Sequence, residues 1–268
     1  MTAARAVVLA RGLGTRMRAM AGGERLTLEQ QRAADAGMKA MMPVGQRPFL
    51  DFILNAIADG GVLRVAVVVA PDHDALRRYY MQEAPPARVQ LELIVQPEPR
   101  GTADAVLCAE RWVGAEPFLV MNGDNLYRAD VIRMLAESPE PAVPGFDRDD
   151  LVRTSNIDAA RIRAFALMTT DADGYLTSIV EKPDTVDVDR AALVSMNCWR
   201  FDQRIFQACR QVPRSPRGEY ELPLAVGHAV AKGVRFRVLP ARGPVLDLSQ
   251  RTDAAAVSRR LASRIPHP

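Results

Sequence analysis

Residues Leu9-Ala10-Arg11-Gly12-Leu13-Gly14-Thr15-Arg16-Met17 join a short apolar run to a glycine-rich turn carrying a basic side chain. Glycines let the backbone approach a phosphate chain closely and aim N–H groups at it. Arg16 adds a guanidinium fork suited to bidentate phosphate contact. The turn is not a dinucleotide fingerprint, because Met17 stands at the third glycine position of G-x-G-x-x-G. It is not a P-loop either, which needs G-K-[ST]. Asp124 ends Asn122-Gly123-Asp124, directly after the apolar run 117–121, where open α/β sheets hold their ligands. Asp247 follows a second short apolar run late in the chain. Lysine is scarce: of 35 basic residues only Lys39, Lys182 and Lys232 are lysines. Lys39 and Lys182 are therefore candidates for a specific role, whereas Lys232, late in a helical stretch, reads as a surface residue.

These residues need a scaffold. Runs 6–10, 65–70 and 117–121 are apolar, 65–70 as in a strand covered on both faces, 89–95 reads as a further strand, and they alternate with helical patterns over 48–59, 72–82 and 103–113. Such alternation predicts right-handed βαβ units and a doubly wound, mostly parallel α/β sheet. Beyond residue 140 the pattern changes. Strands over 163–169 and 175–180 flank Asp171-Ala172-Asp173-Gly174, a hairpin signal, and a further strand spans 193–201. Helices follow over 202–212, with Asp202 as N-cap, and over 222–232, closed by Gly233. A strand over 234–239 and a terminal helix over 251–264 complete the reading. It amounts to a single domain over 1–268: a first half (1–140), a β-rich part (141–250) and a C-terminal helix and tail (251–268).

The chain has 268 residues, 48% of them hydrophobic and 25% charged, with a net charge of +3. That composition excludes a disordered, collagen-like or disulfide-stapled chain. Three cysteines without C-x-x-C spacing argue against a zinc site. No basic stripe interleaved with aromatics points to nucleic acid. No window is long and apolar enough to span a membrane, and the N-terminal run is too short for a signal peptide, so the expectation is a cytoplasmic protein. His73 and His228 lack any spacing partner, and His267 is expected in a frayed tail.

Several segments in one order resemble the nucleoside triphosphate: sugar-1-phosphate nucleotidyltransferases. They are the G-x-G-T-R turn, Met38-Lys39-Ala40-Met41-Met42-Pro43-Val44, the nucleobase segment Val95-Gln96-Pro97-Glu98-Pro99-Arg100-Gly101-Thr102-Ala103-Asp104-Ala105, Asn122-Gly123-Asp124-Asn125, Glu181-Lys182-Pro183, Gly218-Glu219-Tyr220-Glu221-Leu222 and Val245-Leu246-Asp247-Leu248. The likeness runs from residue 7 to about 255. It implies a Rossmann-like fold without an acyltransferase extension, and Mg²⁺-dependent nucleotidyl transfer from a nucleoside triphosphate to a sugar 1-phosphate. It implies Asp124 and Asp247 as magnesium ligands, and Arg16, Lys39 and Lys182 as the charges on the reacting phosphates. Leu9, Ala10, Gly12, Gly14, Thr15, Gln96, Gly101 and Thr102 would bind the nucleotide. Asn125, Ala166, Glu181, Lys182 and Asn197 would bind the sugar phosphate. An amide at Gln96 can pair with the N3–H and carbonyl edge of uracil or thymine, which favours UTP or dTTP. The alternatives are a cytidylyl- or guanylyltransferase on another phosphorylated acceptor, or a catalytically silent nucleotide-sugar sensor. The reading allows a homo-oligomer.

The chain also departs from the family pattern. Arg11 stands where Ala or Gly is usual, and either crowds the ribose or adds a phosphate contact. The stretch from Arg16 to Lys39 is long and reads as a flexible lid. Asn197 replaces a glycine beside the sugar.

Overall fold

The computed structural model describes residues 2–19, 26–181 and 192–268. The strands are β1 (Arg5–Leu9), β2 (Pro43–Val44), β3 (Arg47–Pro48), β4 (Arg64–Val69), β5 (Gln90–Val95), β6 (Phe118–Asn122), β7 (Asn125–Leu126), β8 (Ala142–Phe146), β9 (Ala166–Thr170), β10 (Leu176–Val180), β11 (Leu193–Ser195), β12 (Cys198–Phe201), β13 (Arg237–Ala241) and β14 (Leu246–Asp247). One sheet runs β10-β9-β11-β8-β12-β6-β1-β4-β5, with β13 also on β8. Its β5-β4-β1-β6 part is parallel, as expected from the strand–helix alternation. The later strands join it through antiparallel β12 on β6 and extend it outward.

Alternate residues of β1, β4 and β6 feed two cores, which is why those strands are mostly apolar, whereas the edge strand β5 keeps Gln90 and Glu92. Ala6, Val8, Val65, Val67, Leu119 and Met121 pack on one face. Val7, Val68, Phe118 and Val120 pack on the other. Helices Phe49–Asp59 and Ala129–Glu137 cover the first face; helices Thr102–Cys108, Arg204–Gln211 and Leu222–Ala231 cover the second. The strand order reverses between β1 and β6, so the loops after Leu9 and Asn122 part there and leave a crevice.

Several sequence expectations change. In the stretch from Arg16 to Lys39, of which residues 20–25 lie outside the described ones, a helix Leu28–Asp35 stands that the sequence reading did not mark, started by a capping box in which Thr27 and Gln30 satisfy each other's backbone N–H. The helix expected over 103–113 is two, Thr102–Cys108 and Glu110–Val113, because Ala109 leaves the helical ladder between them. The strand over 193–201 is interrupted at Asn197, which adopts a left-handed φ of 56°. Residues 163–165 belong to a 3₁₀ turn, Ala159–Ala164, and its exit rather than to β9. Gln203, not Asp202, is the N-cap of helix Arg204–Gln211, although the Asp202 carboxylate still accepts from Arg204 N. The tail is anchored rather than frayed. Pro268 O accepts from Ala87 N and Arg88 N, and His267 N donates to Asn55.

Candidate active site

A cleft of about 350 Å³ opens at the C-terminal ends of β1 and β6. The glycine-rich turn forms one wall, with Leu9, Ala10, Gly12, Gly14, Thr15 and Arg16 all lining it. Gly14 is left-handed at φ 63°, and a Cβ there would come within 2.4 Å of Gly37 O. Only glycine permits that contact, which seats the turn directly against the segment leading to Lys39. Gly123 N donates to Leu9 O, tying the β6 loop to the end of β1.

At this junction Lys39 Nζ lies 2.7 Å from Asp124 Oδ2, and both groups line the cleft. Asp247 sits behind them. It is 1% exposed and reaches the site through β14, which pairs antiparallel with β7 so that Asp247 lies opposite Asn125. Its Oδ2 accepts from Arg161 at 2.6 Å and from Ser249 Oγ at 3.1 Å, and Arg161 also bonds Asp253. Burial, and after it the nearby Asp124 charge, push the Asp247 carboxyl above its ordinary value against the pull of Arg161. Two carboxylates close enough to feel each other, both offering hard oxygen donors, suit a small divalent cation that keeps waters and substrate phosphates as its other ligands. No group of three or more acidic, His or Cys side chains capable of holding a metal occurs among the described residues.

Opposite the glycine-rich turn, Gln96, Gly101 and Thr102 also line the cleft. Gln96 is buried, and its amide nitrogen donates to Asp104 Oδ2 at 2.7 Å and to Gly101 O at 3.1 Å. Gly101 has φ 112°, and a Cβ there would meet Tyr220 O at 2.5 Å. That close approach lets 219–222 dock on this loop, with Ala103 N bonded to Tyr220 O and Tyr220 N to Arg100 O. The Thr102 hydroxyl accepts from Leu222 N, so it ties the start of helix Leu222–Ala231 to the cleft.

The expected sugar-side residues are dispersed. Glu181 lies 3.7 Å from Arg217, which lines the cleft and is held by Glu221 at 2.6 Å. Asn125, Ala166 and Asn197 do not line it. Asn125 is buried in β7, Ala166 is buried in β9 opposite Ser195, and Asn197 accepts from the Trp199 indole N–H. Lys182 lies outside the described residues. Arg11 lines the cleft, its Nε buried without a partner and its pKa lowered by burial against the opposing pull of Asp72. Sequence reasoning does not single out Arg217 or Arg161, and it places Asp104 within the nucleobase segment without giving it a role. Arg217 directly precedes the Gly218 motif, so its position was the only available signal.

The family model described as nucleotidyl transferase matches residues 5–243. The chain belongs to the nucleotidyl transferase family. Among similar proteins, this nucleotidyl transferase is 27% identical over 257 residues to a UTP–glucose-1-phosphate uridylyltransferase of Haloferax volcanii, covering 96% of each chain. It is 26% identical over 258 residues to a glucose-1-phosphate thymidylyltransferase of Streptomyces antibioticus, covering 95% of this chain and 65% of that one. A solved UDP-glucose pyrophosphorylase in complex with UDP-glucose matches with a TM-score of 0.77 at 16% identity, over 98% of this chain and 100% of the other. At that identity the likeness speaks for the fold. No helix among the described residues of this nucleotidyl transferase is long and apolar enough to cross a membrane.

Proposed function

We propose that this nucleotidyl transferase couples a nucleoside triphosphate to a sugar 1-phosphate, forming a nucleoside diphosphate sugar and pyrophosphate. The observation that carries the reading is one cleft at the strand-order switch, walled by the glycine-rich turn, the Lys39–Asp124 pair and Gln96. The relatives' activities support it. A sugar-phosphate oxygen attacks the α-phosphorus in line. The bond from that phosphorus to the pyrophosphate oxygen breaks, and no covalent enzyme intermediate is needed. Such transfer is positioning plus charge neutralisation. Arg16 and the turn N–H groups hold the triphosphate, and Lys39 meets its charge. Arg217, between Glu181 and Glu221, joins Lys182 on the acceptor phosphate, with Glu181 toward the sugar hydroxyls.

Asp124 and Asp247 would hold magnesium. When bound, the ion supplies charge that offsets the phosphates and the leaving pyrophosphate. Gln96 favours a pyrimidine with an N3–H, so UTP and dTTP are the proposed donors. The proposed partners are a nucleoside triphosphate and a sugar 1-phosphate.

The test is pyrophosphate release over a grid of five nucleoside triphosphates and several sugar 1-phosphates with Mg²⁺, beside Asp124→Asn. One pair standing out and vanishing in the variant supports the reading. A blank grid with tight nucleotide-sugar binding would replace the enzyme with a sensor.

A further inference from the structure

A primary amide can face a base in either of two ways, and the two select different bases. Presented as an acceptor, it pairs with the N3–H of uracil or thymine. Presented as a donor, it pairs with the bare N3 of cytosine. In this chain the choice is made behind Gln96. Its Nε2 lies 2.7 Å from Asp104 Oδ2 and 3.1 Å from Gly101 O, both acceptors, and no described residue donates to its Oε1. Turning the amide over would set Oε1 against the carboxylate. Gly101 O matters less, because it also accepts from Ala105 N. Asp104 stands three residues into the helical segment that begins after Gly101 and is half-buried, so its carboxylate is carried on the helix Thr102–Cys108 rather than on a loose loop.

We propose that Asp104 is a specificity-determining positioning residue: as an acceptor-only group it locks the Gln96 amide so that an oxygen, not an N–H, faces the nucleobase. This deepens the proposed function and rests on its placing of the base at Gln96. Asp104 touches no substrate in this account. It acts through Gln96, and its effect is on choice between bases rather than on rate.

Asp104→Asn is nearly isosteric and removes the lock, since an asparagine can either accept from the amide nitrogen or donate to the amide oxygen. The experiment offers UTP and CTP together at equal concentration with Mg²⁺ and a sugar 1-phosphate, and reads the ratio of the two nucleotide sugars formed by wild type, Asp104→Asn and Asp104→Glu. A purely structural role lowers both products together and leaves the ratio alone. The expected result is a wild type that favours UTP. In Asp104→Asn the ratio falls by about tenfold or more, the scale at which a lost hydrogen-bond match weakens discrimination. Asp104→Glu stays close to the wild-type ratio. An unchanged ratio in Asp104→Asn, or a wild type that prefers CTP, overturns the inference. Calorimetric binding of UTP against CTP gives the same ratio without turnover. A silent activity assay would therefore count against the reaction while binding still decides the lock.

Discussion

Lys39 and Asp124, 85 residues apart in sequence, meet at 2.7 Å where the turn after Gly37 touches the end of β6. The pair puts a cation and a carboxylate at the point where a triphosphate and its counter-ion would compete for them. Removing the lysine takes away charge that the phosphates need. Lys39→Ala should lower kcat/KM for the nucleotide on the order of 100-fold or more, the scale seen when one charge-stabilising group is lost from a preorganised site. Steady-state kinetics with the best substrate pair checks this, and a variant within a few fold of wild type would remove Lys39 from the machinery.

Arg161 is the partly buried counter-ion of two buried carboxylates, Asp247 and Asp253. Arg161→Ala leaves two inward carboxylates facing each other without a cation. Urea unfolding should show a loss of about 3–5 kcal/mol, as for other buried pairs deprived of one partner. Arg161→Lys should recover part of it. A loss below 1 kcal/mol would mean that the pair behaves like a surface one.

Gly101 and Gly218 both have left-handed φ, but only Gly101 has backbone packed where a Cβ would go. Gly218→Ala should cost about 1–2 kcal/mol from strain alone. Gly101→Ala should cost more and also weaken nucleotide binding, because the 219–222 segment must move off the loop. Thermal melts of both variants with and without UTP distinguish strain from displacement. Equal effects would contradict the close approach.

Asp51 lies buried at the start of helix Phe49–Asp59, bonded by Tyr80, Tyr79 and Arg47. Burial raises its pKa against the pulls of those three groups. A carboxyl that titrates higher in the folded chain favours folding at low pH. That contribution is lost as pH climbs from the unfolded value through the folded one. Asp51→Asn does not titrate. The stability of the variant minus that of wild type should therefore rise with pH across the acid range in urea melts. A difference that is flat or falls with pH refutes the direction.

The parallel half of the sheet was legible because β1, β4 and β6 are short, nearly continuous apolar runs, and β5, with Gln90 and Glu92 between its apolar residues, follows in the same strand–helix alternation. The chemistry-bearing turn and Asp124 were legible because they sit at strand ends, where position follows from the fold. Helix Leu28–Asp35 was not. Its buried residues are Gln30, Ala33 and Ala34, a face too small and too polar to stand out from a loop. β7 and β14 are two residues each and carry no periodicity, so the meeting of Asp247 with Asn125 depends on tertiary packing alone. Arg161 was hidden for the same reason, and Asp104, though inside the nucleobase segment, carried no role that the sequence alone could assign. An arginine among 32 and an aspartate in a helix acquire meaning only through the side chains they touch. Ala166 and Asn197 carry family positions that suggest sugar contacts; in the fold Ala166 is buried within the sheet and Asn197 accepts from the Trp199 indole N–H.

The two-residue pairing of β14 with β7 also sets a schedule. A ribosome adding about 5–20 residues per second needs on the order of ten seconds between Asp124 and Asp247. Through that interval the growing chain owns the glycine-rich turn, Lys39 and the first carboxylate, but not the second. An arrested nascent chain ending before β14 is thus a natural half-site. It carries the early cleft wall while Arg161, already made, waits for the partner that the last stretch delivers.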